Sequence, residues 1–249
     1  MATGLGRRLS AAWRIVRAVA HGLRGLWILR RRFPRLDRAE RQACIERWSR
    51  EMLALLNIDL RVEGARPADG PLLLVANHTS WLDILAVLGA RSVSFVAKSD
   101  IRHWPLVGAV AAGAGTLFIE RTSRRDALRT VHRMAEGLQS GEVVAIFPEG
   151  TTGDGRMLLP FHANLLQAAI AADAPAQPCG IRFEDAATGR PSRVALYVGD
   201  DTLLGSLWRT LTADPLRVVV RFGTPAAANG RDRRRWAQDL HTEVDALRQ

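Results

Sequence analysis

A histidine and an aspartate, His78 and Asp83, stand five residues apart in the stretch Asn77-His78-Thr79-Ser80-Trp81-Leu82-Asp83. A neutral imidazole takes a proton from a hydroxyl, and a carboxylate beside it fixes the tautomer and stabilises the imidazolium that forms. General base catalysis of this kind requires no serine or cysteine nucleophile. A second chemical group is Phe147-Pro148-Glu149-Gly150-Thr151-Thr152-Gly153-Asp154-Gly155, where a carboxylate leads a glycine-rich turn that can present backbone N–H groups to an oxyanion. Arg121 offers a planar guanidinium suited to phosphate or carboxylate. Each also has a plainer reading: Ser80 as a helix cap with Asp83 in the first turn, Arg121 in a surface ion pair, and residues 148–155 as a connecting loop.

Leu72-Leu73-Leu74-Val75-Ala76 is short and wholly apolar, which predicts a buried strand. Ser80 to Leu88 carries apolar residues at helical spacing, so His78 falls at a strand-to-helix junction and Asp83 in the first turn beyond it. Val143 to Phe147 predicts a second buried strand running into the Pro-Glu-Gly turn, and Thr116 to Ile119 a third running into Glu120-Arg121. Strand ends of this kind are where α/β sheets hold ligands. Further strands are expected over Leu60–Val62, Val93–Ala97, Gln177–Phe183, Val194–Val198 and Arg217–Phe222, and helices over Arg124–Gln139, Ala163–Ala172 and Arg231–Leu247. This alternation predicts an α/β domain over residues 58–249, with a mixed, largely parallel sheet and flanking helices. His103 to Ile119 is uncharged apart from the histidine and approaches the length of a membrane span. Its Pro105, Gly108, Gly113 and Gly115 favour a short apolar helix, a turn and a strand, with a helix lying against lipid as the other reading.

With 249 residues, 47% of them hydrophobic and 24% charged, the chain has the length of one large domain with an appendage. The net charge of +10 is concentrated: residues 1–35 hold nine arginines and no acid, which leaves the rest near neutral. That argues against a nucleic-acid-binding surface spread over the fold. Trp13, Ile15, Val16, Val19, Leu23, Leu26, Trp27 and Phe33 lie among those arginines, as suits a helix in the interface of an anionic membrane. The apolar stretch between Arg17 and Arg24 is too short to span a bilayer, and no signal-peptide pattern is present. A solvated basic tail and an RNA-binding segment are the other readings of this arm. A second helix is expected from Asp37 through Leu56, making residues 1–57 a membrane-associating helical segment. Cys44 and Cys179 match no metal-ligand spacing and point to a reducing compartment without a zinc site. Nucleophile-elbow, P-loop, zincin and complete dinucleotide-binding patterns are all missing from the sequence.

Taken in order, the motifs resemble one family. His78 to Asp83 matches the HxxxxD motif of glycerophospholipid acyltransferases, Gly115-Thr116-Leu117-Phe118-Ile119-Glu120-Arg121 resembles the second motif, and Phe147-Pro148-Glu149-Gly150-Thr151 matches the third. Pro178 in Gln177-Pro178-Cys179-Gly180-Ile181 loosely matches the fourth. The chain is similar to the bacterial 1-acyl-sn-glycerol-3-phosphate acyltransferase type. The resemblance implies that His78 deprotonates the hydroxyl of a lysolipid acceptor, that Asp83 orients His78, and that the acyl group passes directly from acyl-CoA or acyl carrier protein to give phosphatidic acid. It further implies that Arg121 and Lys98, the only lysine in the chain, hold an anionic head group, while Glu149, Gly150, Thr151 and Thr152 shape the acceptor site. No metal and no resident cofactor are implied, and the expected place is the cytoplasmic face of the bacterial inner membrane. Thr152 stands where many lysophosphatidate-using relatives carry arginine, and Glu120 replaces the commoner aspartate. Lyso-ornithine lipid acyltransferases share these motifs and supply the alternative acceptor. A non-catalytic membrane- or nucleic-acid-binding protein is the remaining alternative, and intact His78, Asp83, Arg121 and Glu149 argue against it.

Overall fold

The computed structural model describes residues 4–104, 107–119 and 124–249. It begins with two helices, α1 (Gly4–Arg31) and α2 (Arg38–Leu55), and continues through β1 (Ile58–Gly64), β2 (Leu72–Ala76), α3 (Leu82–Ala90) and β3 (Ser94–Lys98). Then come α4 (Val107–Gly113), β4 (Leu117–Ile119), α5 (Arg124–Gln139), β5 (Val143–Ile146) and α6 (Gln167–Ala171). The chain closes with β6 (Ala176–Asp185), α7 (Leu203–Thr212), β7 (Leu216–Phe222) and α8 (Arg233–Leu247). The strands form one sheet in the order β1-β7-β6-β2-β5-β3-β4. Neighbours are parallel except for the antiparallel β6–β7 pair, so the sheet is mixed and largely parallel, as the sequence predicts.

Every residue of β2 and β5 is buried, because helices cover both faces of the sheet. The pleat sorts them. Leu72, Leu74, Ala76, Val143 and Ala145 face a cluster with Leu53, Leu82, Val87 and Leu211, under α1, α2, α3 and α7. Leu73, Val75, Val144 and Ile146 face the other way, against Met134, Leu138, Ala168 and Trp236 of α5, α6 and α8. Ala11 of α1 and Leu53 of α2 belong to the first cluster, so the helical pair shares its core with the sheet.

Helix α1 buries Ala11, His21, Gly22, Gly25 and Ile28 on one side. Leu5, Leu9, Trp13, Val16, Leu23 and Trp27 recur at spacings of three, four or seven, and each is more than half exposed. Helix α2 opens on a capping box in which Asp37 accepts the Glu40 N–H and Glu40 accepts the Asp37 N–H. The two helices lock where the His21 and Trp48 rings stack at 5.1 Å and Trp48 Nε1 donates to the His21 carbonyl at 3.2 Å. Only glycine fits at position 25, since a Cβ there would come within 2.7 Å of Trp48 Nε1.

In the described part of 103–119, a seven-residue apolar helix α4 is followed by a turn and strand β4. Among the described residues no helix is long and apolar enough to cross a membrane. Two expectations change. Val194–Val198 is not a strand but an irregular loop, because Arg209 Nε and Nη2 donate to the Val194 and Leu196 carbonyls and Thr79 takes the Tyr197 N–H at 2.9 Å. Side chain and loop thereby satisfy groups that a strand would pair. Helix α7, which the sequence reading passes over, follows Thr202, whose hydroxyl accepts the Gly205 N–H.

Strand β6 packs its Gly180 directly on the backbone of Leu247 and Arg248 at the end of α8. A Cβ at 180 would collide with that backbone, so Gly180→Ala is expected to cost about 1–3 kcal/mol. Urea unfolding of the full chain checks this, and unchanged stability would show that α8 does not depend on that close approach.

Candidate active site

Parallel pairing brings the candidate residues to one edge. β2 and β5 run side by side with Leu74 opposite Ala145 and Val75 opposite Ile146, so the chains leaving them, Asn77-His78 and Phe147-Pro148-Glu149, emerge together. β3 pairs with β5 and with β4, and its last residue, Lys98, lies opposite Ile119. The carboxyl ends of β2, β5, β3 and β4 therefore share one edge of the sheet. The Lys98 side chain and all of Arg121 lie outside the described residues.

Asp83 sits in the first turn of α3 and is fully buried. Its Oδ2 accepts the backbone N–H groups of Thr79 at 2.6 Å and Ser80 at 2.8 Å, and meets His78 Nδ1 at 3.0 Å. A carboxylate is an acceptor, so the hydrogen between them resides on Nδ1 and the neutral ring presents Nε2 as its basic nitrogen. The imidazole side chain keeps 18% of its surface exposed while the carboxylate keeps none. One face of the ring lies on Phe147, with centroids 4.0 Å apart and planes 7° from parallel.

Glu149 arrives from the adjacent strand end and is likewise buried. Its Oε1 accepts the His78 N–H at 2.6 Å and its Oε2 the Leu159 N–H at 2.9 Å. Burial pushes the Glu149 carboxyl above its ordinary range, and the N–H groups of Leu159 and His78, with the nearby His78 ring, pull against that rise. Gly150 follows at φ +73°, in the left-handed region that favours glycine, and its N–H closes the turn on the Phe147 carbonyl at 3.1 Å. Gly153 donates to the His78 carbonyl at 2.8 Å. The loop thus folds back on the histidine, leaving Thr151 exposed and Thr152 half-buried.

The structure therefore joins His78, Asp83 and Glu149, with Gly150, Thr151 and Thr152 on the loop beside them. It adds two residues to which sequence reasoning gave no role. Asn77, almost fully buried, donates through Nδ2 to the Ile181 carbonyl at 3.0 Å and accepts the Ile181 N–H at 2.7 Å. Its amide continues the β2–β6 pairing one step beyond Ala76–Cys179. Phe147 stands in the sequence as the last residue of a strand pattern and the first of the third motif, with no role of its own. For Asn77, the signal was an amide just past a buried strand and just before a candidate base.

Two neighbouring groups that could act as nucleophiles, Ser80 and Cys179, are sealed from solvent. Ser80 Oγ accepts the Leu82 N–H at 3.2 Å and is fully buried. Cys179 is also fully buried, and burial, aided by the Asp83 charge, pushes its thiol far above the range in which a thiolate forms. Among the described residues no cluster of histidine, cysteine and acid side chains is placed to hold a metal ion.

Residues 58–182 match the acyltransferase family model. The chain is 38% identical to a lyso-ornithine lipid O-acyltransferase of Pseudomonas aeruginosa, over 96% of this chain and 92% of that one. It is 40% identical to a 1-acyl-sn-glycerol-3-phosphate acyltransferase of Neisseria gonorrhoeae, over 78% of this chain and 77% of the other. Its fold resembles the crystal structure of the 1-acyl-sn-glycerophosphate acyltransferase of Thermotoga maritima, with a TM-score of 0.65, 24% identity and coverage of 94% and 97% of the two chains. With its imidazole and carboxylate at the joined ends of parallel strands, the chain belongs to the acyltransferase family.

Proposed function

We propose that this acyltransferase moves a fatty acyl group directly from a thioester to the free hydroxyl of a membrane lysolipid, with His78 as general base. The contact of His78 Nδ1 with the buried Asp83 carboxylate carries the reading, because it commits one ring nitrogen to orientation and frees the other for the proton. The acceptor's hydroxyl proton passes to Nε2 as its oxygen bonds to the thioester carbonyl carbon. The tetrahedral intermediate collapses with cleavage of the C–S bond, and the thiolate takes the proton from Nε2, returning His78 to its neutral form. Acyl-CoA and acyl carrier protein both present such a thioester, and no resident cofactor enters the scheme.

With both Glu149 oxygens taken by backbone N–H groups, its part in this scheme is to tie the β5 loop to the histidine. Head-group contact falls to Lys98, Arg121, Thr151 and Thr152. The two cations favour 1-acyl-sn-glycerol-3-phosphate as acceptor. A second reading, a lyso-ornithine lipid, is favoured by Thr152 in place of arginine and by the Pseudomonas relative, whose match takes in 96% of the chain.

The exposed stripe of α1, flanked by arginines, fits the interface of an anionic bilayer at the cytoplasmic face of the membrane. Leu204 and Trp208 give the neighbouring α7 an exposed apolar edge as well.

Three measurements follow from this scheme. Purified protein given a labelled acyl thioester with lysophosphatidate and lyso-ornithine lipid in parallel is expected to acylate one of them, with His78→Ala slower by about 10²–10⁴-fold and Asp83→Asn by at least about a hundredfold. Product formed at the wild-type rate by His78→Ala would remove the histidine from the chemistry. The second concerns Glu149: a carboxyl whose folded value is raised above its unfolded one stabilises the fold at low pH, and that contribution is lost as pH rises through the raised value. In urea unfolding, the advantage of wild type over Glu149→Gln should therefore be larger near pH 4 than near pH 7. An advantage that grows with pH would reverse the sign assigned to the burial of Glu149. Third, Trp13→Ser with Trp27→Ser should lower partition onto phosphatidylglycerol vesicles by at least about tenfold at unchanged melting temperature. Undiminished binding would move the membrane contact away from α1.

A further inference from the structure

We infer that Phe147 is a positioning residue for the reaction: its ring face holds the His78 imidazole in plane and stabilises the imidazolium that forms as Nε2 takes the acceptor's proton. The inference rests on His78 acting as the base. The two rings lie 4.0 Å apart at 7°, and Phe95, buried on β3, stacks behind Phe147 at 5.3 Å and 20°. Phe147 is therefore wedged between a core side chain and the imidazole, and the imidazole cannot rotate about its own bond without losing the stack.

The electrostatics give the contact a direction. An aromatic face carries the negative lobe of the ring quadrupole, so it attracts a cation held over it more strongly than a neutral ring. His78 is neutral before proton transfer and cationic after it. The attraction grows as the proton arrives, so it lowers the barrier without a matching gain in the ground state. Asp83 acts on the same ring from its edge, through Nδ1, while Phe147 acts on its face. Together they leave Nε2 to the acceptor. Among the described residues, Asp83 meets the ring at Nδ1, Glu149 accepts the His78 backbone N–H, and the Asp83 charge also reaches the sealed thiol of Cys179. All three are kept in the variants below, so differences between variants report the aromatic face.

Phe147→Leu keeps an apolar side chain against the imidazole, and hence its desolvation, but removes the π-face. Phe147→Tyr restores the face. The full chain in detergent, with ring-labelled histidine, gives the His78 titration by NMR, the signal being identified by its loss in His78→Gln. The acid limb of kcat/KM gives the same quantity from catalysis. In the leucine variant the midpoint is expected to fall by about half a pH unit. kcat is expected to fall by about two- to fivefold with KM within about twofold, and tyrosine should restore both. A leucine variant that melts like wild type and titrates like wild type overturns the inference, as does a folded tyrosine variant that fails to restore the midpoint. The NMR titration decides the matter even if neither lysolipid is acylated, and that silence would count against the proposed function alone.

Discussion

A carboxylate sealed from water sets the form of the site. Asp83 has no exposed surface, and a buried acid of this kind costs several kcal/mol unless donors surround it. The donors come from its own neighbours: the N–H groups of Thr79 and Ser80 and the ring of His78 all converge on Oδ2. To deliver them, the chain must turn sharply as it leaves β2 and must enter α3 at once, which also places the acid in the first turn, where the helix dipole favours it. The orientation of the imidazole is thus fixed by the same atom that organises the backbone around it. A substitution at 83 cannot alter one without the other.

What could be read from the sequence follows from how local each contact is. β2 and β5 announce themselves as wholly apolar runs, and the His78–Asp83 relation spans five residues, so strand, junction and acid–base pair are legible together. The two bonds of Asn77 to Ile181 bridge 104 residues, and that of Glu149 to His78 bridges 71, so no local pattern encodes them. They depend on which strands are neighbours, and the alternation of elements predicts parallel pairing without fixing strand order. Val194–Val198 misleads for a related reason. Its short unbroken hydrophobic run mimics a strand, but Arg209, from a helix ten or so residues on, takes the carbonyls that a neighbouring strand would have paired.

His78 and the loop after β5 have different supports. His78 and Phe147 leave two central, fully buried strands, and Asn77 and Glu149 pin that end of the sheet from both sides. Thr151 and Thr152 lie on a loop, and a second loop touches it where Arg193 Nη2 donates to the Asp154 carbonyl at 3.5 Å. Loops accept substitution with little penalty to the core, whereas the strand ends do not. The loop can therefore change independently of the strand ends, and the chain's relatives carry different acceptors in their names.

The same packing bears on how a lipid substrate would meet the base. Helix α1 is no tether on a loose linker: Ala11 enters the core cluster that also holds Leu82 of α3, and Arg7 pairs with Asp214 at 3.0 Å, just past α7. Helix α7 in turn touches the catalytic loop, where Trp81 Nε1 donates to Ser206 Oγ at 3.2 Å. Through α7 and α3, the exposed stripe of α1 and the imidazole belong to one packed body. A flexible anchor would raise the local concentration of enzyme at a bilayer but leave its orientation free. A rigid one would also fix the angle and depth at which the strand-end edge stands over the surface, so that on the proposed scheme membrane binding would align the acceptor hydroxyl with Nε2. Gly25 drawn against Trp48 and the His21–Trp48 stack closing the joint give the helical pair this rigidity and build it into the core of the fold.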